Sequence, residues 1–210
     1  RERPLGPLVD ALRSLGADIT YLGMEGYPPL KIEGRPLAGG AVRIDGTLSS
    51  QFVTALMMLA PQLPGGLTIH REGELVSDPY LEITRRCLAH FGAESTWPEP
   101  RELTVPEAPL KAPGLLPVEG DASSASYFLA LGALAGGPVR VTGVGQDSMQ
   151  GDVAFLDVLA QAGAVTRSGP DWLETEGGTL RGIDVDLNAI PDAAMTLAVV
   201  ALFAQGPTRI

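Results

Sequence analysis

The sequence predicts an α/β (α+β) fold assembled from repeated βαβαββ units that pack with their central helices buried. Three observations carry this expectation. The starts of apolar helices recur, at Asp45-Gly46-Thr47-Leu48-Ser49-Ser50-Gln51, at Glu119-Gly120-Asp121-Ala122-Ser123-Ser124 and at Ile190-Pro191-Asp192-Ala193-Ala194. A second kind of helix ends each time on a small-residue signature, Leu15-Gly16-Ala17, then Phe91-Gly92-Ala93, then Ala162-Gly163-Ala164. Both series repeat at roughly 70 residues, longer than solenoid periods of about 20–50, so each unit is a module of several elements. Finally, the helices expected at 52–59, 127–134 and 195–203 are apolar on nearly every side, as helices buried in a core are. The first unit arrives without its first half and the last stops after its first helix, which predicts a piece of a larger protein.

The middle unit reads through from about residue 41 to 105 in element order. Residues 41–45 alternate as a strand does. Residues 49–59 place Phe52, Ala55, Leu56 and Leu59 at helical spacing, and Pro61 to Gly66 break the helix. Residues 67–71 form a second strand. Ser77-Asp78-Pro79 then opens a second helix, with Ser77 as N-cap and Pro79 in the first turn. Leu81, Ile83, Thr84, Cys87, Leu88 and Phe91 make one broad apolar face on it, and Gly92 is placed to stop it. Two short strands follow, near 94–97 and 101–105. The next unit repeats the order: strand 115–118, helix 123–134, strand 139–142, helix 151–162, and strands near Val165 and Trp172. Prolines at 106, 109 and 113 mark a boundary between about 106 and 119.

Composition bounds the function. The 210 residues carry a net charge of −10, against a general nucleic-acid or anionic-membrane binder. Cys87 is the lone cysteine, so no disulfide framework or thiolate metal cluster is expected, and a reducing cytoplasm is. The longest apolar run, broken at Thr196, is too short for a membrane span of about 20 residues. His70 and His90 are separated and have no ligand partners in sequence, and no Walker loop, dinucleotide fingerprint or zinc spacing occurs.

What remains is a set of anion-friendly helix starts. Exposed N–H groups and the positive end of the helix dipole favour anions there. Ser49, Ser50 and Gln51 add two hydroxyls and an amide at one such start, and Ser77 stands at another. Arg3 is a guanidinium able to clamp a carboxylate or phosphate. Each residue also has a plainer reading: a serine cap, a surface glutamine, a solvated arginine, a packing ring at Tyr80, a first-turn acid at Asp192.

A resemblance goes further. Arg1-Glu2-Arg3-Pro4-Leu5-Gly6, Tyr27-Pro28-Pro29-Leu30, Gly46-Thr47-Leu48-Ser49-Ser50-Gln51-Phe52, Leu75-Val76-Ser77-Asp78-Pro79-Tyr80, Val118-Glu119-Gly120-Asp121-Ala122-Ser123-Ser124, Gln146-Asp147-Ser148-Met149-Gln150-Gly151-Asp152 and Ile190-Pro191-Asp192-Ala193-Ala194-Met195-Thr196 occur in collinear order. Together they resemble the 5-enolpyruvylshikimate-3-phosphate (EPSP) synthase family of the common bacterial type. Asp147 stands where that family often has asparagine.

The resemblance implies a two-domain enolpyruvyl-transferase architecture, present here in part. Residues 1–118 would belong to a substrate-binding half and 119–210 to the beginning of the return segment of the other half. It implies transfer of the carboxyvinyl group of phosphoenolpyruvate to the 5-hydroxyl of shikimate 3-phosphate, with no metal or organic cofactor. Ser49, Ser50 and Ser77 would hold the 3-phosphate, Gln51 and Tyr80 would contact the substrate, Arg3 would pair with phosphoenolpyruvate, and Asp192 would be the general base. The family's N-terminal Lys-Ser-x-x-x-x-Arg anion site and its later Lys-Glu-x-x-Arg segment have no counterpart in this sequence. The full-length protein is expected to be a monomer. The isolated chain is expected to be inactive and to self-associate through apolar faces around Leu197, Val200 and Phe203. Two alternatives are a standalone sugar-phosphate binding protein and a relative of the UDP-N-acetylglucosamine enolpyruvyl transferase.

Overall fold

Two separate hydrophobic cores organise the chain, one within Arg1–Gly114 and one within Leu115–Ile210. The computed structural model describes residues 4–45, 47, 49–73 and 78–210.

The first unit opens with helix α1 (Gly6–Ser14) and an antiparallel pair, β1 (Asp18–Tyr21) and β2 (Leu30–Glu33). This hairpin is not among the elements the sequence predicts, because its strands are short and β2 turns little apolar surface inward. Then come β3 (Gly40–Asp45), α2 (Ser50–Leu59), β4 (Leu67–Glu72), α3 (Asp78–His90), β5 (Thr96–Glu99) and β6 (Glu102–Val105), the expected βαβαββ order. They form one sheet in the order β3-β4-β6-β5, with β3 and β4 parallel and the other pairs antiparallel. The period of two in β4 sends Leu67, Ile69 and Arg71 into the core and Thr68, His70 and Glu72 outward. Val53, Leu56 and Met57 of α2 meet Ile69, Leu81 and Leu103 there with no exposure.

The second unit holds α4 (Ala122–Ala135), β7 (Val139–Thr142), α5 (Phe155–Gln161), β8 (Val165–Gly169), β9 (Trp172–Glu176) and α6 (Ala194–Ala201). Its antiparallel sheet runs β7-β9-β8. Thr175 of β9 donates to the Leu129 carbonyl of α4. The helix comes close enough that a Cβ on Gly132 would sit 2.5 Å from the Thr175 carbonyl oxygen. The strand expected at 115–118 does not form. Pro117 has no N–H to give a ladder, Leu115 and Val118 face solvent, and the contact with β7's end shrinks to the Gly120 N–H on the Gly143 carbonyl at 2.6 Å. The helix expected over 151–162 divides into a 3₁₀ turn, Gly151–Ala154, and α5.

The recurrent Gly-Ala signature is a repeated helix stop. Gly16, Gly92 and Gly163 have φ of 98°, 90° and 102°, values that a side chain rarely permits. The alanine that follows each glycine donates back to the carbonyl five residues earlier: Ala17 to Leu12, Ala93 to Leu88, Ala164 to Leu159. That is the long bond of a Schellman motif. The recurrent helix starts, by contrast, are capped differently. Ser49 caps α2 and Asp121 caps α4 through its carboxylate, whereas α6 follows a 3₁₀ turn at Pro191–Ala193 with no side-chain cap.

Burial of the apolar helices is one-sided. Tyr127, Phe128 and Leu131 of α4, and Met195 and Val199 of α6 with Leu202 and Phe203 beyond it, are all more than half exposed. Leu197 and Val200, expected at the surface, are core residues at 1% exposure. Period 3.6 explains the difference, since Leu197 and Val200 lie three apart on the face toward α4, and Met195 and Val199 on the other. Cys87 likewise falls on the outer side of α3 rather than with Leu81, Thr84 and Leu88.

On α3's surface Arg85 chelates Glu82 through Nε and Nη2, both at 2.7 Å, and Arg86 Nε adds a third contact at 2.7 Å. The Arg85 bonds, opposed by partial burial and helped by Arg86, bring the Glu82 carboxyl down to about 2 from an ordinary value of 4.5. A carboxyl lowered on folding contributes stability at neutral pH that is lost as pH falls from the ordinary value toward 2. Glu82→Gln is therefore expected to lower the melting temperature at pH 7 and to converge on the wild type near pH 2. Melting curves across that range check it.

Candidate functional site

Parallel pairing of β3 and β4 sets the geometry. Asp45 lies opposite Glu72 at the ends of the two strands, so both chains leave the sheet at the same edge and both following helices begin there. The carboxyl ends of parallel strands are where open α/β sheets place ligands. At this edge Thr47 donates to Asp45 Oδ1 through its N–H at 2.9 Å and its hydroxyl at 2.6 Å. The hydroxyl first, then the N–H, hold the Asp45 carboxyl below its ordinary range. These bonds tie Thr47 back to the end of β3.

Ser49 is extended, with φ −172° and ψ 128°, and its Oγ accepts from the Gln51 N–H at 3.2 Å. An oxygen that accepts in this way keeps its own proton to donate. Ser50 opens the helix and is 8% exposed, whereas Gln51 is exposed. The first turn thus gathers two hydroxyls, an amide and N–H groups that no helical carbonyl can reach. Tyr80 stands half-buried in the first turn of α3. Arg3 and Ser77 lie outside the described residues.

Asp192 is exposed in the 3₁₀ turn Pro191–Ala193 that leads into α6, within the second unit. The structure therefore brings Ser49, Ser50 and Gln51 onto one turn and Tyr80 onto the neighbouring helix start, while Asp192 belongs to the other core. His70, read from the sequence as lacking ligand partners, lies 3.3 Å from a Glu102 carboxylate through Nδ1. Among the described residues no group of His, Cys, Asp and Glu could hold a metal ion, and no helix is long and apolar enough to cross a membrane. A cavity of about 440 Å³ lies elsewhere on the first unit, lined by Asp10, Ser14, Arg43 and His70 among others.

Sequence reasoning missed one polar cluster, at the start of α4. Gln150 Oε1 accepts from the Ala122 N–H at 2.9 Å, and its Nε2 donates to the Gly120 carbonyl at 2.7 Å and to Glu119 at 2.9 Å. Ser148 also donates to Glu119. Burial pushes the Glu119 carboxyl up, but the Ser148, Gln150 and Met149 N–H bonds outweigh it and keep the group below its ordinary range. Nothing in periodicity links residues about thirty apart, so this cluster had no signal to find.

Comparison with known proteins adds the following. A family model described as EPSP synthase (3-phosphoshikimate 1-carboxyvinyltransferase) matches residues 1–210. A 3-phosphoshikimate 1-carboxyvinyltransferase of Marinomonas sp. is 55% identical over 210 residues, which is 100% of this chain and 49% of that protein. One from Bordetella parapertussis is 54% identical over 221 residues, covering 100% of this chain and 50% of its own. The chain spans about half the length of the curated relatives it matches. Among solved structures, an EPSP synthase from Acinetobacter baumannii aligns at a TM-score of 0.73 and 24% identity, covering 99% of this chain and 49% of that one. The enolpyruvyl transferase NikO from Streptomyces tendae aligns at 0.78 and 19%, covering 98% and 50%. At these identities the structural likeness speaks to the fold alone.

Proposed function

This chain belongs to the EPSP synthase family, and from that premise we propose that it serves carboxyvinyl transfer from phosphoenolpyruvate to the 5-hydroxyl of shikimate 3-phosphate, with release of phosphate. Residues 1–118 act as part of the substrate-binding half and 119–210 as the beginning of the return into the other half. Ser49, Ser50 and Ser77 hold the 3-phosphate, Gln51 and Tyr80 contact the rest of the substrate, and Arg3 pairs with phosphoenolpyruvate. Asp192 acts as general base on the attacking hydroxyl. No cofactor or metal takes part, and the reaction belongs to aromatic amino acid biosynthesis in the cytoplasm.

The observation that supports this most is the start of α2. A dianion needs several fixed donors and a positive field, and Ser49-Ser50-Gln51 at a helix N-terminus supplies both. Calorimetric titration tests it. The chain is expected to bind shikimate 3-phosphate and not shikimate. Ser50→Ala is expected to weaken that binding by roughly tenfold or more, the cost of one hydrogen bond to a charged group. Equal binding of both ligands, or an Ser50→Ala variant that binds as the wild type does, contradicts the assignment.

A further inference from the structure

Two hydroxyls meet between the packed helices α2 and α3. Thr54 Oγ1 and Thr84 Oγ1 are 3.2 Å apart, and Thr84 Oγ1 also donates to the Tyr80 carbonyl at 3.0 Å. Thr84 is 8% exposed. A hydroxyl has one proton, and Thr84 spends its own on Tyr80, so Thr54 must be the donor of the pair. The result is a directed chain from α2, through Thr54 and Thr84, to the first turn of α3. Thr54 lies one helical turn after Ser50, and Thr84 one turn after Tyr80. The chain therefore ties together the start of α2, with Ser49 and Ser50, and the start of α3, with Tyr80.

The second unit contains the same arrangement. Ser126 of α4 donates to the Ser123 carbonyl in its own first turn at 2.6 Å, and its Oγ lies 3.1 Å from Thr196 Oγ1 of α6. Ser126 is 1% and Thr196 5% exposed, and Thr196 follows Asp192 by one turn. By the same proton count Thr196 is the donor.

We infer that Thr54 and Thr84 are positioning residues: their hydroxyl pair sets the register of α2 against α3 and so aligns Ser49, Ser50 and Tyr80 for the substrate. The inference rests on the phosphate-site reading above. Packing alone does not ask for hydroxyls here. Valine has threonine's shape, and replacing both members of a part-buried hydrogen-bonded pair with apolar groups of equal shape is nearly neutral for stability. What a hydroxyl pair adds over a valine pair is direction, since apolar contacts slide and a hydrogen bond has a fixed length and angle.

The test is calorimetric titration of shikimate 3-phosphate into the 210-residue chain and three variants, each with its melting temperature. Thr54→Val/Thr84→Val is expected to melt within a few degrees of the wild type yet to bind about tenfold more weakly. Thr84→Ser is expected to keep binding within twofold of the wild type, because it keeps the hydroxyl. Thr84→Val alone is expected to be the least stable of the set, since it strips the acceptor from Thr54. A double variant that binds within threefold of the wild type overturns the inference, and so does one that fails to fold, which would make the pair a stability contact. A wild-type chain that does not bind shikimate 3-phosphate defeats the phosphate-site reading itself. That failure is told apart because it appears before any threonine is changed.

Discussion

Supplied with phosphoenolpyruvate and shikimate 3-phosphate, the purified 210-residue chain is expected to release phosphate no faster than the uncatalysed background. The transition state of carboxyvinyl transfer needs anion clamps, a base for the attacking hydroxyl and a proton donor for the methylene carbon, all held in one geometry. This chain offers Arg3, Ser49, Ser50, Gln51, Ser77 and Asp192, and it spans about half the length of its curated relatives. The further lysine, arginine and glutamate positions implied by the family resemblance have no counterpart in its sequence. Losing one electrostatic contact of this kind costs roughly 10²–10³ in rate, and groups acting as a unit are not additive. Several absent together leave the chemistry near background. The assay is phosphate release by the chain alone and after co-expression with the remaining segments of the Marinomonas relative. Activity that appears only in the second case is the expected result, and full turnover by the chain alone contradicts it. The exposed faces of α4 and α6 are also expected to drive self-association of the lone chain, which sedimentation reads directly.

Asp192→Asn in that reconstituted assembly is expected to lower kcat by about 10²–10⁴, the usual contribution of a positioned general base. Asparagine preserves the shape and one acceptor oxygen but cannot take a proton. Calorimetric binding of shikimate 3-phosphate should therefore change by less than about threefold. A loss of binding comparable to the loss of rate would make Asp192 a substrate-holding residue instead. An unchanged kcat would remove it from the chemistry.

The parts of the fold that were legible in the sequence are those written in local pattern. The three Gly-Ala signatures read as helix stops because a left-handed glycine and a back-donating N–H involve only neighbouring residues. The βαβαββ order read through because each element carries its own period and its own breakers. Where the outcome depended on a distant partner, local pattern failed. Residues 115–118 look like a strand, but Pro117 and an exposed neighbourhood leave them without a ladder. Helix 195–203 looks buried all round, and only its packing against α4 decides that Leu197 goes inward and Met195 does not.

The candidate site divides in the same way. Ser49 was legible as a cap, because N-caps are local. The placing of α2 and α3 at one edge followed only from the parallel register of β3 and β4. The Thr54–Thr84 pair is thirty residues apart and left no trace in the pattern, since a threonine within an apolar helix face scores as one more tolerated residue.

The most direct measurement of the central claim is a crystal structure of this chain soaked with shikimate 3-phosphate. The start of α2 predicts the phosphate there, its oxygens about 3 Å from the Ser49 and Ser50 hydroxyls and the first-turn N–H groups. A phosphate bound elsewhere, for instance beside Arg43 and His70 in the cavity near α1, would contradict it.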